Sequence, residues 1–319
     1  MHLLLTGAAG FIASHLTERF LDQGHTVVGM DNFDDFYDPA VKEGNLRRAR
    51  DHDAFTLVRG DIRDQAALRS LPDEIDTIVH IAARAGVRPS IAKPGLYYDV
   101  NVNGTLNLME LARSRGIQRF VFASSSSVYG NSEKVPFSEE DPVDHPISPY
   151  AATKKAGELL AHTYNHLYGM ACLCLRLFTV FGPRQRPDLA IHKFTRLLAQ
   201  GEEIPMFGDG SSQRDYTYIE DILQGVEGGL EWVHAHEGQY EIVNLGESRT
   251  VSLREMISVL GEEMGVKPRI RRLPDQPGDV SRTFADISRA KRLLGYDPSW
   301  DFRKGIRAFI EWYREDRGP

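Results

Sequence analysis

Residues Leu3–Leu16 read LLLTGAAGFIASHL: a short apolar strand, a turn carrying Gly7 and Gly10, then an amphipathic helix. Glycines at these two places permit a tight turn and a close backbone approach. A helix opening at Phe11 and Ile12 would aim its free N–H groups at a phosphate. Glycine is common in any turn, so the stretch alone could be a plain structural connection. The second strand adds weight, because it ends in Asp31-Asn32, with Asp31 twenty-one residues after Gly10. An acid at that place can accept from adenosine ribose hydroxyls, which favours NAD over its 2′-phosphorylated relative. Gly60-Asp61-Ile62 closes the third strand, and Asp61 is placed either to meet an adenine amino group or to cap a helix.

Working outward, short apolar runs alternate with amphipathic stretches as far as Leu177. The runs are Leu3–Thr6, Thr26–Met30, Phe55–Val58, Thr77–Ile81, Arg119–Ala123 and Ala171–Leu177. Helical patterns fall between them at Ile12–Gln23, Gln65–Ser70, Val102–Ser114 and Ala152–Tyr168. This alternation predicts an α/β fold with a Rossmann-type doubly wound parallel sheet. After Phe178 the pattern changes: one further strand is expected at Tyr240–Leu245, and helices at Leu253–Met264, Ser288–Leu294 and Arg303–Tyr313. The expected division is a dinucleotide-binding domain over 1–177, with segments of about 212–246 returning to it. The remainder of 178–319 forms a smaller mixed α/β C-terminal substrate domain.

Composition narrows the class. With 41% apolar and 26% charged residues over 319 positions, the chain is neither disordered nor a coiled coil. A net charge of −7 argues against nucleic acid or an anionic membrane as partner. No apolar run reaches the ~18 residues of a membrane span. The start, MHLLLTGAAGF, lacks the basic region and cleavage site of a signal peptide, so a cytoplasmic protein is expected. Cys172 and Cys174 are spaced for one face of a strand and read as packing residues; no metal-binding spacing is present.

Tyr150 and Lys154 form a Y-x-x-x-K pair after Ser148-Pro149, on one face of a helix. A phenol titrates near ~10, and an ammonium held beside it would favour the phenolate. The buried strand RFVFASSSSVYG (Arg119–Gly130) delivers Ser124–Ser127 to the carboxyl edge of the sheet, where open α/β sheets bind ligands. Ser125 is the candidate to hydrogen-bond a reacting hydroxyl, with Ser126 and Ser127 lining the substrate; in isolation such runs more often form turns or caps.

Gly7–Gly10, Asp31-Asn32, His80–Ala83, Asn101–Thr105, the serine run and Y-x-x-x-K occur in this order. Together they resemble the extended short-chain dehydrogenase/reductases, in particular the NAD-dependent nucleotide-sugar epimerases and dehydratases. The resemblance implies Tyr150 as base, assisted by Lys154, Ser125 and Ser127. It places Ala82, Ala83, Asn101, Ser124, Phe178 and Val180 with Gly7, Gly10, Phe11, Ile12, Asp31, Asn32, Asp61 and Ile62 around NAD.

Dehydratases resembling this chain carry an Asp-Glu pair where Ser126-Ser127 stand, and the related decarboxylases carry a glutamate at the place of Ser127. Without either acid, epimerisation through a 4-keto sugar is the implied reaction. Asp34–Leu46, Gly182–Phe194 and Leu273–Val280 look most like the UDP-glucuronate 4-epimerases. By that likeness Arg186, Arg214 and Asp279 hold the nucleotide diphosphate or uridine ribose, and Arg88 lies near the sugar carboxylate. Ser126, Ser127 and Thr179 orient that carboxylate against loss of CO₂, and Lys193 and Gln276 complete the substrate set. The alternatives are a UDP-glucose or UDP-N-acetylglucosamine 4-epimerase, a decarboxylase, a 4,6-dehydratase and a non-catalytic NAD-binding protein. The resemblance also implies a homodimer, through the helices at Val102–Ser114 and Ala152–Tyr168.

Overall fold

The computed structural model describes residues 1–274 and 280–317. Six strands precede residue 178: β1 (His2–Thr6), β2 (Thr26–Asp31), β3 (Phe55–Arg59), β4 (Thr77–His80), β5 (Arg119–Ser125) and β6 (Ala171–Leu177). Among them lie α1 (Phe11–Asp22), α2 (Pro39–Asn45), α3 (Arg47–Arg50), α4 (Gln65–Arg69), α5 (Val87–Ala92), α6 (Pro94–Tyr98), α7 (Gly104–Arg115) and α8 (Pro149–Tyr168). A π-helical turn, Asp99–Asn103, leads into α7. Beyond β6 come β7 (Thr179–Phe181), α9 (Ala190–Ala199), β8 (Ile204–Phe207), β9 (Gln213–Arg214), β10 (Tyr216–Tyr218) and α10 (Ile219–Ala235). They are followed by β11 (Tyr240–Leu245), β12 (Val251–Ser252), α11 (Leu253–Met264), β13 (Ile270–Leu273), α12 (Ser288–Leu294) and α13 (Phe302–Arg317).

Seven strands form one parallel sheet in the order β11-β6-β5-β4-β1-β2-β3. The chain winds outward from β1 through β2 to β3, then starts again on the other side of β1 with β4. The strand order therefore reverses between β1 and β4, the place where a doubly wound sheet opens a crevice at its carboxyl edge. Thr6 and His80, paired in register, mark that place. The inner strands are buried on both faces, so they read as unbroken apolar runs rather than alternating ones.

The ends of the site-bearing helices follow local chemistry. Gly10 caps α1 without a side-chain hydrogen bond, so the first-turn N–H groups are left facing the cleft. Ser148 caps α8 by accepting from the Ala151 N–H at 3.1 Å, Pro149 starts the helix, and Gly169 ends it at φ +68°. Segment 212–246 contributes β11 to the sheet beside β6, and α10 packs on β5, β6 and α1. The sequence reading left α9 and α10 without assignment, although both are amphipathic. The rest of the C-terminal part consists of small paired strands, β7 with β10, β8 with β13 and β9 with β12, the last pair antiparallel. Cys172 and Cys174 pack among the apolar side chains of one face, as their spacing predicts.

Candidate active site

A cleft of about 510 Å³ opens at the carboxyl edge over the β1–β4 switch point. Gly7 sits in it at φ +72°, and a Cβ built there would lie 2.9 Å from the Ala82 Cα. Only glycine allows both the left-handed backbone and that approach. Gly10, Phe11 and Ile12 follow along the cleft floor with the free N–H groups of α1. Asp31 lines the same end, its two oxygens accepting from the Ala9 N–H at 3.1 Å and the Phe33 N–H at 2.7 Å. Burial nevertheless raises its carboxyl above the usual range.

Asn32, Asp61 and Ile62 complete the wall at this end of the cleft. Asp61 accepts from Asn32 at 2.8 Å and is gripped by Arg63, which holds its carboxyl down at about 2. It is an anchored acid that also faces the cleft; the alternative expectation of a helix cap fails, because α4 is capped by Asp64, which accepts from the Ala66 N–H at 2.8 Å.

Beneath the floor, one hydrogen-bonded chain ties the switch point together. Thr105 Oγ1 donates to the Asn101 carbonyl at 2.6 Å, so it must accept from His80 Nε2 at 2.9 Å. His80 Nδ1 then accepts from Thr6 Oγ1 at 2.8 Å, and Thr6 Oγ1 accepts the Ala82 N–H at 3.2 Å. This assigns His80 as the neutral Nε2–H tautomer, in keeping with burial pushing its pKa down to about 3.

Asn101, expected near the nicotinamide, does not line the cleft. It is buried and acts as a brace, its Oδ1 accepting from the Arg84 N–H at 2.7 Å. Its Nδ2 donates to the Arg84 carbonyl and to Thr153 Oγ1, each at 3.0 Å.

On the catalytic edge, Ser124–Ser127, Tyr150 and Lys154 all line the cleft, as do Phe178, Thr179 and Val180 opposite. The Ser125 hydroxyl lies beside the Tyr150 phenol and donates to Ser127 Oγ at 3.1 Å. Tyr97 sets its ring edge-on to Tyr150 at 6.3 Å. The i,i+4 spacing suggested Lys154 as the charge acting on Tyr150, and the structure corrects this. Lys154 Nζ donates to the Ala123 carbonyl at 2.6 Å, and burial brings its ammonium down to about 7 against the pull of Glu158. Burial raises the Tyr150 phenol, while the Ser125 hydrogen bond and the Arg186 guanidinium draw it back.

The remaining wall is built from side chains on distant loops. Arg186 is held bidentately by Asp188 at 2.8–2.9 Å, and Arg84 is paired with Asp34. Both guanidiniums lie over the Phe36 ring, Arg84 at 4.7 Å and Arg186 at 5.4 Å from its centre. Lys42, Tyr37, Arg214 and Thr283 extend this wall. Arg84, Phe36, Tyr37 and Lys42 were missed by the sequence reading, although Asp34–Leu46 had been singled out.

Two predicted substrate residues stand apart. Arg88 places its guanidinium 5.0 Å over the Phe207 ring rather than in the cleft lining, and Lys193 sits half-buried on α9 outside it. Gln276 and Asp279 lie outside the described residues.

The glycine cradle, the free helix N–H groups and the buried acid at the end of β2 fit a dinucleotide laid across the switch point. The cationic wall and the hydroxyls beside Tyr150 fit a second, anionic ligand facing it.

Comparison with known proteins agrees with this geometry. The sequence matches the GDP-mannose 4,6 dehydratase family over residues 4–309. A UDP-glucuronate 4-epimerase of Thermodesulfobacterium geofontis is 40% identical, over 99% of this chain and 97% of its own. The structure of UDP-glucuronic acid 4-epimerase from Bacillus cereus, in complex with UDP-glucuronic acid and NAD, superposes with a TM-score of 0.92 at 35% identity, covering 99% of both chains. DesIV, a dTDP-glucose 4,6-dehydratase from Streptomyces venezuelae with NAD and TYD bound, also reaches 0.92, at 32% identity over 100% of this chain and 98% of its own. The fold is thus common to epimerase and dehydratase, and the residues at the catalytic edge must separate them.

Proposed function

The chain belongs to the GDP-mannose 4,6-dehydratase family of extended short-chain dehydrogenase/reductases, and we propose that within it the protein interconverts UDP-glucuronate and UDP-galacturonate. As an NAD-dependent UDP-sugar 4-epimerase it needs redox at one carbon and no elimination. The observation carrying this reading is that Ser126, Ser127 and Thr179, and no acid from these positions, line the cleft beside Tyr150. Hydroxyls can orient a carboxylate but cannot serve as the acid or base that dehydration at the neighbouring carbons requires.

NAD, when bound, supplies the hydride acceptor and donor. The protein's own residues then have distinct tasks. Tyr150 takes the proton of the sugar hydroxyl, aided by the Ser125 hydrogen bond and the Arg186 charge, both of which favour its phenolate. Lys154, with an ammonium near neutrality, can exchange that proton at working pH. Arg84, Arg186 and Arg214 supply positive charge for the diphosphate and the uronate. Ser126, Ser127 and Thr179 hold the carboxylate away from the alignment in which a β-keto acid loses CO₂.

The test is to incubate the purified protein, without added cofactor, with UDP-glucuronate and in parallel with UDP-glucose, following products by proton NMR. UDP-galacturonate alone is expected. UDP-galactose alone would move the assignment to the neutral-sugar epimerases, and a UDP-pentose would mean that the serines do not guard the carboxylate.

We also propose a cytoplasmic homodimer. Leu106 of α7 and Leu159, Leu167 and Tyr168 of α8 are exposed rather than packed in the core, and a second copy would cover them. Sedimentation should give twice the chain mass. Among the described residues no helix is long and apolar enough to cross a membrane.

A further inference from the structure

Strand β6 reads ACLCLRL and is buried along its whole length, yet its sixth residue is Arg176. Its guanidinium is 1% exposed and meets Glu158, a carboxylate with no exposure at all. Nε and one terminal nitrogen bond the two carboxylate oxygens at 2.8 and 2.9 Å, and the other terminal nitrogen donates to Tyr129 Oη at 3.0 Å. Tyr129 Oη donates onward to Asn244 Oδ1 at 2.7 Å. A buried ion pair is weak evidence for stability, because desolvation offsets much of its attraction. Its position therefore asks for another reason.

Glu158 stands four residues beyond Lys154, as Lys154 stands four beyond Tyr150, so the three share one face of α8. Each reaches a different one of three consecutive residues at the end of β5. Tyr150 has the Ser125 hydroxyl beside its phenol, Lys154 donates to the Ala123 carbonyl at 2.6 Å, and Glu158 accepts from Ser124 Oγ at 2.7 Å. Ala123, Ser124 and Ser125 all line the cleft, whereas Glu158 lies behind them, outside the lining and without exposure.

We propose that Glu158, clamped by Arg176, is a positioning residue: by holding Ser124 it keeps the Ala123 carbonyl and the Ser125 hydroxyl in register with Lys154 and Tyr150. The inference rests on the reading of Tyr150 and Lys154 as the proton-handling pair.

The groups facing Lys154 make a second consequence testable. From β4 it meets His80, which is neutral, and on β5 its ammonium lies 5.0 Å over the Phe122 ring. On its own helix the charge that reaches it is Glu158, and Lys155 lies 3.4 Å from one oxygen of that carboxylate. Among the described residues Glu158 is the negative charge that acts on Lys154, and it opposes the burial that drives off its proton.

The experiment uses the full-length protein and two variants. Glu158→Leu/Arg176→Met removes both charges together, so that no unpaired ion is left buried. Ser124→Ala cuts the third contact at a residue that also lines the cleft, so NAD retention is measured beside its activity; it decides the matter if the double variant does not fold. Melting temperature, kcat, KM, the pH profile of kcat and hydrogen exchange are measured on each.

The expected result is a fall in kcat of about tenfold for the double variant, with KM within about twofold. Its alkaline limb should move to lower pH, as Lys154 loses its proton sooner. Hydrogen exchange should quicken over residues 119–130 and 149–160 and stay unchanged over residues 2–31. Ser124→Ala should lower kcat by several-fold and quicken exchange over the same two segments. Folded variants with wild-type kcat, pH profile and exchange would overturn the proposal. So would a loss of activity that only follows a uniform loss of stability. Wild-type protein inactive on both UDP-sugars would instead overturn the functional reading, leaving the exchange result to judge the positioning role.

Discussion

The two walls of the cleft are built by different means. On the cofactor side the working groups are backbone: Gly7 at φ +72° against the Ala82 backbone, the free N–H groups opening α1, and Asp31 drawn to the Ala9 and Phe33 amides. On the sugar side they are long side chains from separate loops, Arg84 and Arg186, each held by its own acid and sharing the face of Phe36. Backbone geometry changes little when residues are exchanged, whereas a wall of salt-bridged side chains changes with each substitution. The first suits a cofactor common to a family, the second a substrate that differs among its members.

The most direct attack on this division is at the seam, where Tyr150 serves the sugar from a helix anchored to the cofactor side. Tyr150→Phe keeps the ring and its edge contact with Tyr97 but removes the proton acceptor. Turnover should fall by roughly 10³-fold, within the usual range for loss of a general base, while NAD remains bound. Epimerisation near the wild-type rate, measured by NMR, would remove Tyr150 as the base. Loss of NAD together with activity would mean that the two walls are not separable there.

On the cofactor side the corresponding change is Gly7→Val. It forces a β-branched residue into a left-handed conformation and sets its Cβ against the Ala82 backbone. NAD affinity should drop by about a hundredfold, taking the strain as ~2–3 kcal/mol, measured by cofactor retained after gel filtration. Retention at the wild-type level would show that the backbone approach is dispensable.

The sugar wall should respond in KM. Arg84→Met takes away a guanidinium lining the cleft, whereas Arg88→Met alters one stacked on Phe207. KM for UDP-glucuronate should rise about tenfold for the first and stay within about twofold for the second. The reverse order would restore Arg88 as the residue beside the carboxylate.

The contrast also governs what the sequence disclosed. The β1 turn, Asp31 and the Y-x-x-x-K helix were legible because each depends on spacing within one short segment, and spacing is what a sequence records directly. Arg84 was passed over and Arg88 preferred because the partners that hold Arg84, Asn101 on its backbone and Asp34 on its guanidinium, are distant in sequence. Helix α10 escaped because between residues 178 and 245 the reading found only pattern breaks and one strand, though the helix's apolar stripe packs on β5, β6 and α1. Glu158 was hidden for another reason: a glutamate in a helix ordinarily faces water. The readable signal was its partner, one arginine in the otherwise apolar ACLCLRL.

The smallest effect on turnover, and the finest test of the cofactor side, lies under its floor. His80 is neutral and enclosed between Thr6 and Thr105, with a pKa of about 3 in the folded protein against 6.5 when unfolded. The unfolded chain therefore binds the extra proton throughout that window, so stability is full above pH 6.5 and declines as pH falls. Between pH 7 and pH 5 the loss attributable to this one ring is about 2 kcal/mol. His80→Gln can keep both contacts, its amide oxygen accepting from Thr6 and its nitrogen donating to Thr105, but it cannot take the proton. Urea midpoints at pH 7 and pH 5 should therefore lie closer together in the variant, with kcat changed by no more than about threefold. An unchanged pH dependence would place the acid sensitivity in other groups. A variant that gained the flat profile but lost NAD would show that the ring sets the Ala82 backbone by its shape, beyond the two hydrogen bonds.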